Sequence, residues 1–127
     1  MRRNIVRAKS FAFAVRVVNL NKFLRSEKTE FVLSKQLLRC GTSVGAAIRE
    51  AEYAESKLDF KHKLQIAQKE INESIYWLEL LRATNYLDPE QFESINKDAV
   101  EIIKLLTSII NTTKLNISEK CSVRVNH

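Results

Sequence analysis

The sequence predicts an all-α protein, an antiparallel up-and-down left-handed four-helix bundle, and three observations lead there. First, the 127 residues include only two Gly and one Pro, too few for the tight turns of a sheet, while Ala, Leu, Ile, Lys and Glu are plentiful. Second, apolar residues recur at alternating spacings of three and four, the signature of helices with one buried stripe. Third, four such stripes, separated by short polar links, exhaust the chain. A short link between helices makes them antiparallel neighbours, and a chain of this length buries roughly two-thirds of its unfolded surface as one domain.

The first helix is expected from about residue 4 to 25, with Phe13, Val17, Leu20 and Leu24 on one line and Phe11, Val15 and Val18 on a second beside it. Two stripes exceed what one bundle core uses, so the second is expected to meet another subunit. Ser26-Glu27-Lys28-Thr29 is a polar link whose Ser or Thr is placed to cap the next helix. The second helix, about 30–54, buries Leu33, Leu37, Val44, Ile48 and Ala51 and contains the small-residue run Cys40-Gly41-Thr42-Ser43-Val44-Gly45-Ala46-Ala47. Each glycine inside a helix costs about 1 kcal/mol relative to Ala. Gly41 and Gly45, one turn apart, form either a notch for close approach of another backbone or a break in the helix.

Ser56 and Asp59 resemble a capping box opening the third helix. Its seam, Phe60, Leu64, Ala67, Ile71, Ser74, Leu78 and Leu81, follows the alternating spacing without a miss. Asp88-Pro89-Glu90 supplies an N-cap, a proline at the first helical position and an early acid. The fourth helix then carries Phe92, Ile95, Ala99, Ile102, Leu106 and Ile109 inward and is expected to end near Lys114. The bundle domain is therefore read as 1–115 and residues 116–127 as a polar, disordered tail.

The net charge of +6 is unevenly placed. Residues 1–49 hold eleven Lys or Arg against Glu27 and Glu30, and the remainder hold ten against thirteen acids. A basic surplus in the first two helices suits a polyanionic partner, because neutralised phosphates release counterions, and equally describes a solvated face. Arg2, Lys9 and Arg16 recur every seven residues and so share one line, which Asn19 and Lys22 continue, with Arg3 adjacent. Arg2, Arg3, Lys9, Arg16 and Lys22 are the candidate contacts to RNA or DNA.

Other chemistry finds little support. His62 and His127 form no ligand spacing with Cys40 or Cys121, and Glu70 and Glu73 lack the Glu-x-x-His pairs of carboxylate metal sites, so no metal or cofactor is expected. Glu70 and Glu73 read as solvated or salt-bridged. No phosphate loop or nucleophile arrangement stands out, and the chain is expected not to be an enzyme. Tyr76 and Trp77 are an aromatic pair suited either to stacking on bases or, on helical geometry, to packing at the seam or a subunit contact. Lone cysteines indicate a reducing compartment, Arg16 interrupts the apolar start, and no apolar run reaches the about 18 residues of a membrane span. A cytoplasmic location without membrane contact follows.

Gln36-Leu37-Leu38-Arg39-Cys40-Gly41-Thr42-Ser43-Val44-Gly45-Ala46-Ala47-Ile48-Arg49-Glu50-Ala51, together with Tyr76-Trp77-Leu78-Glu79-Leu80-Leu81 and Leu106-Thr107-Ser108-Ile109-Ile110, resembles the four-helix bundle proteins encoded in intervening sequences of large-subunit ribosomal RNA genes. Cys40 stands where that family commonly has Ser, and Ala47 where it often has Asn. The resemblance implies a homopentamer and a relationship to the basic, pentameric accessory proteins of diversity-generating retroelements, which contact reverse transcriptase and nucleic acid. The reading that results is an oligomeric, RNA-associated bundle, with a protein-interaction scaffold as the alternative.

Overall fold

The computed structural model describes residues 1–126, with side chains through Glu119. It holds four helices: α1 (Arg2–Glu27), α2 (Leu33–Ala51), α3 (Lys57–Ala83) and α4 (Pro89–Asn126). Each packs against the next, and α4 returns to α1, while the diagonal pairs do not approach one another. The result is an up-and-down bundle with one core. Its interior is the set of seams expected from spacing: Phe13, Val17 and Leu24 of α1 join Leu37, Val44 and Ile48 of α2, the whole α3 seam, and Ile95, Ala99, Ile102, Leu106 and Ile109 of α4.

Local chemistry sets most helix ends. At α3 the Ser56 hydroxyl accepts the Asp59 amide at 3.0 Å, and the Asp59 carboxylate takes the Glu55 amide at 3.2 Å. At α4 the Asp88 carboxylate accepts the Gln91 amide at 2.8 Å and the Gln91 side chain accepts the Asp88 amide at 3.0 Å, a complete capping box in front of Pro89. The start of α2 differs from the expected Ser or Thr cap. Thr29 adopts φ 53 and Glu30 turns inward, 6% exposed, where its carboxylate accepts the amides of Val32, Leu33 and Ser34. A carboxylate against the first amides of a helix satisfies orphan donors and meets the positive end of the helix dipole.

The small-residue run is continuous helix rather than a break. Gly41 lies against Val17 of α1, where a β-carbon would come within 2.8 Å of a valine methyl. Gly45 lies against Ser10, where a β-carbon would stand 3.5 Å from the nearest atom. Close approach of α1 to α2 therefore depends on Gly41 more than on Gly45.

Helix α4 continues past Lys114 because its inward stripe does: Thr113 is buried, its hydroxyl donating to the Ile109 carbonyl at 2.8 Å, and Ile117 is half-buried one turn on. Helix α4 runs to Asn126, through the stretch 116–127 expected to be a disordered tail; the side chains of residues 120–127 lie outside the described residues. Among the described residues no helix is long and apolar enough to cross a membrane.

Candidate functional site

The first three cations of the line on α1 remain at least partly exposed to solvent but pair with α4. Arg2 donates to the hydroxyls of Ser108 and, at 3.2 Å, Thr112. Lys9 pairs with Glu101 at 2.9 Å. Arg16 pairs with Asp98 at 2.7 Å and also donates to the carbonyl and the hydroxyl of Ser94, at 3.0 and 2.9 Å. The register has a simple origin. In antiparallel helices a step of seven up one helix meets a step of seven down the other, so Arg2, Lys9 and Arg16 meet Ser108, Glu101 and Ser94 in turn. The hydrogen bond and charge of Glu101 raise the Lys9 pKa above its ordinary value.

These three residues thus act first as rungs of the α1–α4 seam. The signal for this was in the sequence: Ser94, Glu101 and Ser108 repeat at the same interval of seven, beside Asp98 and Thr112. The remaining two candidates stand apart. The Arg3 guanidinium lies 4.2 Å over the Phe60 ring, a cation–π contact at the other end of the bundle from Lys22. Lys22 is exposed, and its side chain forms no hydrogen bond or ion pair among the described residues.

A second polar group lies between α2 and α3. Arg39 bridges Glu70, at 3.5 Å, and Glu73, and the Trp77 indole N–H donates to Glu73 at 3.1 Å. The indole bond first, then Arg39, holds the Glu73 carboxyl below the usual range, against a partial desolvation that acts the other way. Glu70 and Glu73 are salt-bridged, and Trp77 packs beside the core with Tyr76 edge-on at 5.0 Å. Cys40 is fully buried and accepts from Ser74 at 3.3 Å, and burial pushes its thiol pKa up. A buried, protonated thiol is a poor nucleophile. His62 lies twelve residues before Ser74 on α3, about 18 Å along the axis, so it is out of reach of Cys40, which contacts Ser74.

The most conspicuous surface is apolar. The second stripe of α1 lies outside the core, with Phe11 61% and Val15 45% exposed. Beside it runs a groove of about 400 Å³ between α1 and α2, floored by Ser10, Ala14, Gly45 and Ala46 and rimmed by Phe11 and Tyr53. The groove exists because its floor carries almost no side-chain volume. Gly45 therefore shapes an outer surface, while Gly41 serves interior packing.

Comparison with known proteins agrees with this architecture. A crystal structure of a protein with unknown function from the S23 ribosomal protein family of Bacteroides thetaiotaomicron VPI-5482 is similar at 62% identity and TM-score 0.87, over 87% of this chain and 99% of that one. No curated protein matches the chain. The family model for the 23S rRNA-intervening sequence protein matches residues 2–108, which reach into all four helices of the bundle; the chain belongs to the 23S rRNA-intervening sequence protein family.

Proposed function

We propose that the chain works by binding rather than by catalysis, as a self-associating helical module in the cytoplasm, with the pentamer that the family resemblance implies. The observation that carries this reading is the α1 stripe: Phe11 and Val15 are exposed on a helix whose other stripe already fills the core. Burying one such side chain is worth roughly 1.5–3 kcal/mol, and a ridge beside a small-residue groove lets each copy offer one surface to the next around a ring. The test is the mass in solution. Wild type is expected at about five times 14.7 kDa, and Phe11→Glu with Val15→Glu is expected to be monomeric with unchanged helix content. A wild-type monomer at micromolar concentration overturns the reading.

A second reading, association with RNA or DNA, is favoured by a different observation. Lys22, Arg25, Lys28 and Lys35 gather at one end of the bundle and form no ion pair among the described residues. The Arg2–Lys9–Arg16 line supports it less, since phosphate would have to displace Glu101 and Asp98. Binding that falls steeply with added salt is the expected result; no binding at low salt removes this reading.

A further inference from the structure

The turn from α1 to α2 is short and held firmly. Leu24 O accepts both the Lys28 and the Glu30 amides, Thr29 supplies the left-handed residue, and the buried Glu30 carboxylate fixes the first amides of α2. With Glu30 turned in, the next two side chains point out: Phe31 is 52% and Val32 72% exposed. Four cations belong to the same turn and its flanking helix ends. Lys22, Arg25 and Lys28 come from the end of α1 and Lys35 from the first turn of α2, and the Arg25 guanidinium lies 5.7 Å from the Phe31 ring centre. The nearby acids are Glu27, which is exposed, and Glu30, which is spent on backbone amides.

Helix capping explains part of this and not the rest. Arg25 in the last turn and Lys28 at the C-cap suit the negative C-terminal end of α1. Lys35, however, sits in the first turn of α2, where the dipole disfavours it, and nothing in the fold rewards exposing Phe31 and Val32. We infer that this turn is a contact point for single-stranded nucleic acid, in which a base stacks on the open face of Phe31 while Arg25, Lys28, Lys35 and Lys22 meet the phosphates on either side. Arg25 lies over the ring while about half of Phe31 remains exposed, and an arginine beside an exposed aromatic ring is an arrangement that can hold a base. Every base has a π-face, so the preference among sequences is weak.

An anionic membrane offers the same charge but the wrong shape. In an up-and-down bundle the α3–α4 turn lies at the same end, and it carries exposed Asp88, Glu90 and, one turn on, Glu93. A flat anionic surface would meet those acids together with the cations. A single strand can follow the α1–α2 turn alone.

This inference rests on the nucleic-acid reading above, and the experiment separates the two. A fluorescent single-stranded oligouridylate of about 20 nucleotides is titrated with the full chain at several salt concentrations, alongside vesicles containing phosphatidylserine. Phe31→Ala is expected to lower affinity about 5- to 100-fold with an unchanged salt slope, because it removes stacking and no charge. Changing Lys22, Arg25, Lys28 and Lys35 to Gln is expected to flatten the slope by about one for each phosphate that is no longer neutralised. Phe31→Trp is expected to restore affinity, with its own emission quenched by the bound strand. Phe31 lies outside the core, and an unchanged circular dichroism spectrum confirms that each variant folds. If wild type binds the strand and Phe31→Ala binds it equally well, the turn is not the contact point and the nucleic-acid reading stands elsewhere. If wild type binds no strand at low salt, both fall. If vesicles bind through Phe31 and the strand does not, the surface is a membrane contact and the inference is overturned.

Discussion

Replacing Gly41 with alanine adds one methyl group at the place where α2 runs closest to α1. That methyl would lie 2.8 and 2.9 Å from the two Val17 methyls and 3.3 Å from the Val17 β-carbon. Carbon atoms rest comfortably about 3.5–4.0 Å apart, so the shortfall is roughly 0.7 Å. Val17 is fully buried, and a β-branched side chain in a helix has one strongly preferred rotamer, so the helices must part instead. Overpacking of this kind costs about 1–3 kcal/mol, and the better helix propensity of Ala returns about 1 kcal/mol. Because Val17 cannot yield cheaply, the expected net loss is about 1–2 kcal/mol, or roughly 3–10 °C in the thermal midpoint for a domain of this size. Gly45→Ala is expected to do the opposite. Its methyl meets Ser10 at 3.5 Å or more, an ordinary contact, so the propensity gain survives and the midpoint rises by a few degrees. In a Val17→Ala background the added methyl at Gly41 fills space, and the double variant is expected to be more stable than Val17→Ala alone. Thermal and urea unfolding followed by circular dichroism at fixed protein concentration measure all three. A Gly41→Ala midpoint at or above wild type, or an equal fall for both single variants, refutes the reasoning.

Glu30→Ala leaves three amides at the start of α2 without their acceptor in a partly buried turn, and urea unfolding is expected to show a loss of about 1–3 kcal/mol; a loss below about 0.5 kcal/mol would mean that water replaces the carboxylate. Lys9→Gln and Arg16→Gln each break an ion pair whose partners are well exposed, so each is expected to leave the thermal midpoint almost unchanged, and still less changed in high salt. A large fall in the midpoint of either would show the seam to be dry. Glu73 titrates below its unfolded value because the folded chain holds its charged form, so it contributes stability above the ordinary carboxylate range, near pH 4.3, and that contribution disappears as pH falls through the lower folded value. Trp77 fluorescence is expected to report this protonation in the still-folded protein, and an identical acid profile in Glu73→Gln would rule Glu73 out as its source.

The number of helices, their order and their buried lines were written in local spacing. Phe60 through Leu81 needed only a count of threes and fours, and Ser56 and Asp88-Pro89 announced their helix starts through side chains that bond a few residues away. The end of α4 was harder, because Thr113 continues the inward stripe with a polar residue whose hydroxyl is satisfied only by its own helix. The site depended on tertiary structure for a different reason. A spacing of seven shows that Arg2, Lys9 and Arg16 share a line, yet it does not say which neighbour that line meets, and their partners Ser108, Glu101 and Asp98 lie 106, 92 and 82 residues further along the chain. The two glycines read alike for the same reason: identical in sequence and one turn apart, they differ only in what α1 sets opposite them, two stiff valine methyls at Gly41 and the roomier edge of Ser10 at Gly45. Periodicity is a property of one helix, whereas contact belongs to two, and only the packed bundle decides whether a charge is free to meet a partner or already has one.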